Sequence, residues 1–362
     1  MRIVLHIGFE KTGTTTIQNA LWFNAKALRN QQVLYPLGFG RRGHEHLAIA
    51  LIRPELMQDI RYWQQLVQDP AEYPDFRNST QAALGRQIEH VKPDVMVVST
   101  EFLSSRLESA DEVRSVREFF SGWSDDFTIV AWIRRQDDTF VSHYSTTLKG
   151  SGDQRLDVYD TRAFWLDYNR VLGDWAEVFG ADNLVIRTFP PSNGDLLKEF
   201  SEASGIPELK APPQERLNPS LDHLNASLLA DLNKRFPTHV NKAPNPNRRG
   251  LVDFLEARSK GPKLEIGKAQ RQALLADYAE GNEALRARYF PDRNTLFPED
   301  VRDRPVPDMA GYEDALDLVI DIWKERAAIA ERLQDTQSKS VLGRFNAAKN
   351  IARRIKRRIR FG

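Results

Sequence analysis

The sequence has no cysteine, and this absence removes several classes of protein from consideration. Without thiols there is no disulfide scaffold, no thiolate zinc site, no iron–sulfur cluster and no cysteine nucleophile. The chain also lacks any run of 18 uncharged apolar residues, so we expect no transmembrane helix. The apolar run after Met1 and Arg2 is too short for a signal peptide and has no small-residue cleavage site behind it. These absences predict a cytoplasmic protein.

The charge of the chain is divided unevenly. Of the 362 residues, 41% are hydrophobic, which is typical of a globular protein, and the formal net charge is only +1. Residues 339–362 nevertheless hold nine Lys or Arg and no acidic residue, so the remainder of the chain is acidic. The apolar residues at helical spacing within this tail are Leu342, Phe345, Ala352, Ile355 and Ile359.

A basic amphipathic helix is typical of attachment to an anionic membrane surface. We therefore expect the tail, residues 339–362, to bind the inner face of the cell membrane, the alternative being a frayed segment that only adds solubility. Nucleic acid is not expected as a partner, because the tail is poor in aromatic residues on which bases could stack.

Short apolar runs alternate with helical patterns along the first half of the chain. The runs that predict strands are 2–8, 33–35, 94–100, 127–133 and 184–188, and the segments that predict helices are 14–29, 111–120, 135–148 and 163–179. This alternation predicts a three-layer α/β fold with a mainly parallel central sheet.

The pattern changes after about residue 210. Loops rich in Pro and Asn then separate helical patterns at 221–235, 263–289 and 312–335. We expect a core at about 1–210, a helical cap at about 211–300, and C-terminal helices at 312–362 that end in the basic tail.

The loop between the first strand and the first helix reads GFEKTGTTT, residues 8–16. Gly8 and Gly13 allow the tight curl that brings consecutive N–H groups towards an anion, and the helix start adds further N–H donors. These features predict a phosphate cradle and a P-loop-NTPase-like fold around it. It is not a Walker A loop, because Thr14 follows Gly13 and Lys11 precedes it by two positions. A nucleotide with one 5′-phosphate and a transferable group is favoured over ATP, and a nucleotide kinase or NTPase is the alternative.

The stretch HIGFEKTGTTTIQ, residues 6–18, resembles the 5′-phosphosulfate loop of sulfotransferases that use 3′-phosphoadenosine 5′-phosphosulfate (PAPS), in particular the bacterial ones. The resemblance implies that Lys11 contacts the oxygen that bridges phosphate and sulfate. It also implies that the 5′-phosphate is held by Thr12, Gly13, Thr14, Thr15 and Thr16.

A second motif supports the same family. The stretch FTIVAWIRRQDDTFVSHYSTTLK, residues 127–149, places Arg134 at a strand end and Ser142 eight residues later. In the family such a pair binds the 3′-phosphate of the donor, and two helical turns of separation allow both side chains to reach one phosphate. The RRQDD form resembles bacterial members that act on carbohydrate. The resemblance covers residues 2–300 and implies sulfuryl transfer from PAPS to a saccharide hydroxyl without a metal; a non-catalytic carbohydrate- or membrane-binding relative is a further alternative.

The residue that removes the acceptor proton is left open by the sequence. Glu101 follows a predicted strand, and ligands of parallel sheets bind beyond the carboxyl ends of strands. His44 and His46 lie in a loop after the second predicted strand, and histidine is suited to proton transfer near neutral pH. His143, beside Ser142, is expected to be structural, because adjacent helical residues point in different directions.

Overall fold

The computed structural model describes residues 1–52, 67, 69–156, 159, 163–192, 194–213, 221–240, 243–298, 312–313, 316–317 and 319–326. The basic tail at 339–362, predicted to bind membrane, lies outside the described residues. Within these ranges no helix is both long enough and apolar enough to cross a bilayer.

A five-stranded parallel sheet forms the centre of the structure. Its strands are β1 (Arg2–His6), β2 (Val33–Leu34), β3 (Val95–Ser99), β4 (Phe127–Arg134) and β5 (Leu184–Phe189). They are ordered β2-β3-β1-β4-β5, with all four neighbouring pairs parallel. The strands predicted from the apolar runs are confirmed. Because β1 is central, the loop that follows it opens at the middle of the carboxyl edge of the sheet.

Helices cover both faces of this sheet. Those before residue 210 are α1 (Thr14–Arg29), α2 (Glu45–Leu51), α3 (Tyr73–Val91), α4 (Phe102–Arg106), α5 (Ala110–Phe120), α6 (Gln136–Gly150), α7 (Tyr168–Phe179) and α8 (Leu196–Ser204). Later helices are α9 (His223–Arg235), α10 (Leu251–Glu256), α11 (Lys268–Asp277) and α12 (Ala279–Tyr289). The predicted helix at 263–289 is therefore divided in two.

Successive residues of β1 pack against opposite layers, as a pleated strand requires. Ile3 and Leu5 belong to one apolar cluster, which contains Trp175 of α7. Val4 belongs to a second cluster, which contains Leu21 of α1 and Phe200 of α8. Two cores of buried apolar residues thus sandwich the sheet, and the predicted three-layer α/β architecture is confirmed.

The chain divides into two compact units that alternate along the sequence. The first consists of residues 1–144, 160–218 and 265–305 and contains the parallel sheet. The second consists of residues 145–159, 219–264 and 306–362. It contains α9, α10 and a short antiparallel ribbon of β6 (His239–Val240) and β7 (Ala243–Pro244). All the site residues predicted from the sequence lie in the first unit.

Candidate functional site

The loop between β1 and α1 curls tightly over the start of α1. Gly8 and Gly13 have φ angles of +35° and +85°, in the region that favours glycine. Lys11 also has a positive φ, +67°, which is uncommon for a residue with a side chain. The amides of Thr16 and Ile17 donate to the Gly13 carbonyl at 2.9 and 3.2 Å, so α1 begins directly behind the loop. No side chain of the described residues caps this helix start, which leaves its first N–H groups pointing towards the loop.

Gly13 also meets a steric limit. A Cβ at this position would meet the side chain of Leu196 and lie 3.2 Å from a ring carbon of Phe189. At Gly38, whose φ is +88°, a Cβ would meet no heavy atom within 4 Å. The two glycines therefore share a backbone conformation and differ in their surroundings.

Gly13→Ala is expected to lower the free energy of unfolding by about 2 kcal/mol, and Gly38→Ala by about 1 kcal/mol. Both substitutions strain a left-handed backbone, and only the first adds the clash with Leu196. Urea unfolding of the two variants measures the difference. Equal losses would contradict close packing of the loop against Leu196 and Phe189.

The threonines of the loop fall into two groups. The Thr12 hydroxyl is buried and donates to the Phe9 carbonyl at 2.6 Å, and the Thr14 hydroxyl, also buried, donates to the same oxygen at 3.4 Å. Thr15 and Thr16 are exposed at the first turn of α1. The hydroxyls of Thr12 and Thr14 thus hold the loop in shape, and contacts from these two residues to an anion would come from the backbone.

Arg134, the last residue of β4, reaches the loop. Its Nη1 donates to the Lys11 carbonyl at 3.2 Å, and its guanidinium lies 5.6 Å from the ring centre of Phe189. Its own carbonyl accepts a 2.7 Å hydrogen bond from the Tyr168 hydroxyl, which fixes the strand end. Burial lowers the pKa of Arg134, partly countered by the negative charge of Asp138. The structure therefore brings together Lys11 and Arg134, which are far apart in sequence.

Ser142 lies in α6, two turns after Arg134, and is partly buried. Arg135, the residue after Arg134, donates two hydrogen bonds to the buried Asp137, at 2.7 and 2.9 Å. Asp137 also accepts a bond from Arg271. Arg135 is thus part of a buried ion network at the start of α6, and Arg134 is the arginine of the RR pair that faces the loop.

His143, for which the sequence predicted a structural role, lies beside the loop. Its Nε2 lies 3.5 Å from Oε2 of Glu10 in the loop, and its ring centre lies 5.4 Å from that of Trp165. Burial, together with the positive charges of Lys11 and Arg106, lowers the pKa of His143 to about 4. Glu10 and His143 were missed because their contact joins the first loop to a distant helix.

Glu101 lies beside the loop between β1 and α1. Its Oε2 accepts a 2.9 Å hydrogen bond from Gln18 of α1. The hydroxyl of Ser104 donates to the Glu101 carbonyl at 3.0 Å and also to the Gly8 carbonyl, which ties this segment to the loop. Burial raises the pKa of Glu101, and the negative charges of Glu10 and Glu45 raise it further. A carboxylate with a raised pKa is a stronger base than an exposed one.

The surroundings of His44 argue against the base role predicted for it. Its ring is buried, Nδ1 accepts from the Ser99 amide at 3.0 Å, and Nε2 donates to the Pro36 carbonyl at 2.8 Å. Burial lowers the pKa of His44 to about 4. Because both ring nitrogens are occupied, His44 joins the segment before α2 to the end of β3 and cannot accept a substrate proton.

His46 lies in the first turn of α2. Its amide donates to the Phe39 carbonyl at 2.9 Å, and its side chain is partly buried. Burial lowers the pKa of His46, against the opposing effect of Glu45. Of the two histidines, only His46 therefore remains a predicted base. Glu101 is the other remaining candidate.

No family model matches the sequence. Pre-mRNA-splicing factor ISY1 of Mycosarcoma maydis is 30% identical over 118 residues, which cover 32% of this chain and 34% of that protein. The chain thus spans about a third of that relative's length. A crystal structure of a sulfotransferase from Alicyclobacillus acidocaldarius aligns over 79% of this chain and 94% of that chain, with a TM-score of 0.42 and 12% identity.

Proposed function

We propose that the protein is a sulfotransferase that moves the sulfuryl group of PAPS to a hydroxyl group of a saccharide. The observation that carries this proposal is the hydrogen bond from the Arg134 guanidinium to the Lys11 carbonyl. It unites, at one edge of the sheet, the two positions that the resemblance assigns to the two ends of one nucleotide. A cradle for a single phosphate would not need the second cation.

The residues present fit a bisphosphorylated nucleoside. The glycines and the start of α1 offer backbone N–H groups to a 5′-phosphate, as helix starts do for anions generally. Arg134 offers a partly buried guanidinium to a 3′-phosphate, and a bound dianion would compensate its desolvation. The Phe189 ring lies beside Gly13 and 5.6 Å from the Arg134 guanidinium, so a nucleoside that joined the two phosphates would pass close to it.

In this proposal the bound donor supplies a sulfuryl group linked through oxygen to the 5′-phosphate. Lys11 neutralises the charge that develops on the bridging oxygen as its bond to sulfur breaks. Glu101 accepts the hydroxyl proton as the acceptor oxygen forms its bond to sulfur, and Gln18 holds the carboxylate in place. Adenosine 3′,5′-bisphosphate and a sulfate ester leave.

The saccharide acceptor rests on the RRQDD resemblance. Transfer of radiolabelled sulfate from PAPS to a panel of glycans and lipid-linked sugars tests the activity. Binding of adenosine 3′,5′-bisphosphate without transfer to any acceptor would favour the non-catalytic relative. Hydrolysis of ATP without use of PAPS would favour the NTPase.

Arg134→Ala is expected to weaken binding of adenosine 3′,5′-bisphosphate by about 10- to 100-fold, the effect of losing a charge-assisted hydrogen-bonded pair. Binding of adenosine 5′-monophosphate, which has no 3′-phosphate, should change by less than about threefold. Arg134→Lys should fall between, because it keeps the charge and loses the bidentate geometry. Calorimetric titration of both nucleotides measures these effects. Equal losses for the two nucleotides would assign Arg134 to loop structure instead of phosphate recognition.

A further inference from the structure

A cavity of about 610 Å³ lies away from the phosphate loop, between α1, α3 and the outermost strand β2. Its apolar surface comes from Ala25, Leu34, Leu37, Ala83 and Val91. Gln87 of α3 accepts from the Leu37 amide at 3.2 Å and donates to the Leu37 carbonyl at 2.7 Å. The segment after β2 is therefore fixed against α3, and the cavity has a defined wall. Its volume lies in the range of small-molecule sites.

Positive charge surrounds this cavity. Lys26 and Arg29 of α1 and Arg86 of α3 are exposed and line it. The lining contains no acidic side chain, and α1 has none along its whole length. Glu89 of α3 is exposed but is not among the lining residues. Helices α1 and α3 thus place positive charges around an apolar surface.

Exposed apolar side chains lie on the same face. Trp22 and Leu37 are 46% and 47% exposed, and Leu37 lines the cavity itself. Trp22 lies one turn before Lys26 and two turns before Arg29, so all three share one stripe of α1.

Trp22 is also joined to the cavity wall through contacts. Its ring lies 5.3 Å from the guanidinium of Arg42, whose carbonyl accepts a 2.6 Å hydrogen bond from the hydroxyl of the cavity-lining Tyr35. Trp22 therefore lies at the margin of the cavity, beside its cations.

We propose that this face of α1 and α3 binds the surface of an anionic phospholipid bilayer. Lys26, Arg29 and Arg86 would contact lipid phosphates, and Trp22 and Leu37 would enter the boundary between headgroups and acyl chains. Aromatic side chains favour that boundary, and Lys and Arg reach lipid phosphates from it. Association with a second copy through this face is disfavoured, because the positive charges of the two copies would repel each other. The proposal depends neither on sulfuryl transfer nor on the tail at 339–362.

Flotation of the full-length protein with vesicles tests the charge. On vesicles of phosphatidylcholine with about 30 mol% phosphatidylglycerol, the triple variant Lys26→Gln, Arg29→Gln, Arg86→Gln should partition about 100-fold less, since each cation contributes about fivefold. The matched control Arg114→Gln, Arg187→Gln, Lys198→Gln removes three exposed cations from α5, β5 and α8 and should partition like the unchanged protein. Equal partition of the two variants, or equal binding to pure phosphatidylcholine, would overturn the proposal.

Quenching by bromine tests the orientation. Lipids brominated near the headgroup should quench the fluorescence of the full-length protein, and Trp22→Phe should remove most of that quenching. Quenching that survives Trp22→Phe would assign membrane contact to another part of the chain and would contradict the proposal. A dimer in sedimentation velocity that dissociates in Trp22→Phe would identify the face as a protein interface and overturn it as well.

Discussion

Lys11→Ala is expected to lower kcat for sulfuryl transfer by about 10²- to 10³-fold, the loss seen when one stabilising group is removed from a developing oxyanion. The backbone holds Lys11 at the crest of the loop with φ +67°, a conformation that a lysine adopts only under constraint from its surroundings. Binding of adenosine 3′,5′-bisphosphate should change by less than about fivefold, because this product has no sulfuryl group and keeps the backbone cradle. Single-turnover kinetics with PAPS and titration with the product measure the two quantities separately.

Two further variants define the Lys11 result. Lys210→Ala removes an exposed lysine of the same unit and should leave both measurements unchanged. Lys11→Arg keeps a positive charge and should recover part of kcat. If Lys11→Ala weakened nucleotide binding and left kcat intact, its role would be electrostatic anchoring of the nucleotide, and the assignment to the bridging oxygen would be wrong.

Glu101→Gln is expected to lower kcat by about 10²- to 10⁴-fold, the range for loss of a general base, and to leave donor binding nearly unchanged. Because burial and the neighbouring Glu10 and Glu45 raise the pKa of Glu101 above its ordinary value of 4.5, its carboxylate is protonated at a higher pH than an exposed one. The active form is the carboxylate. Activity should therefore fall as the pH falls through this raised pKa, and rise to a plateau above it.

The pH profile of kcat is the measurement that separates Glu101 from the other candidates. In Glu101→Gln the acidic limb should disappear along with most of the rate. His46→Gln tests the other candidate base and should preserve both the limb and the rate when Glu101 is the base. His143→Gln tests His143 as the base. The pKa of His143 is about 4, so an acidic limb that came from this residue would lie at a lower pH than one from Glu101. A profile that keeps its acidic limb in Glu101→Gln would exclude Glu101 as the base.

Much of the sheet could be predicted from the sequence, because its strands are buried on both faces and appear as unbroken apolar runs. The strand predicted at 127–133 is found as Phe127–Arg134, one residue longer. Helix α3 was not predicted, and only Thr80 and Leu84 of its 19 residues are fully buried. A helix that rests on partly buried side chains leaves a weak apolar period in the sequence.

The site was predictable where the chemistry depends on neighbours in the chain. The glycines between Gly8 and Thr16 predict a tight loop. The apolar run before Arg134 predicts that this arginine lies at the end of a strand. His44 was beyond such reasoning, because its role depends on Pro36 and Ser99, which hold its two ring nitrogens. The contact between Glu10 and His143 is likewise a product of tertiary packing.

The alternation of the two units along the chain has a consequence for domain dissection. A fragment that stops near residue 210 would keep all five strands and lose 265–298, which belongs to the same unit as the sheet. Asp137 would then lose Arg271, and Thr188 at the end of β5 would lose the hydrogen bond from Arg293. The unit that contains the sheet is therefore discontinuous in sequence, and a short linker in place of residues 219–264 would preserve it better than any single truncation point.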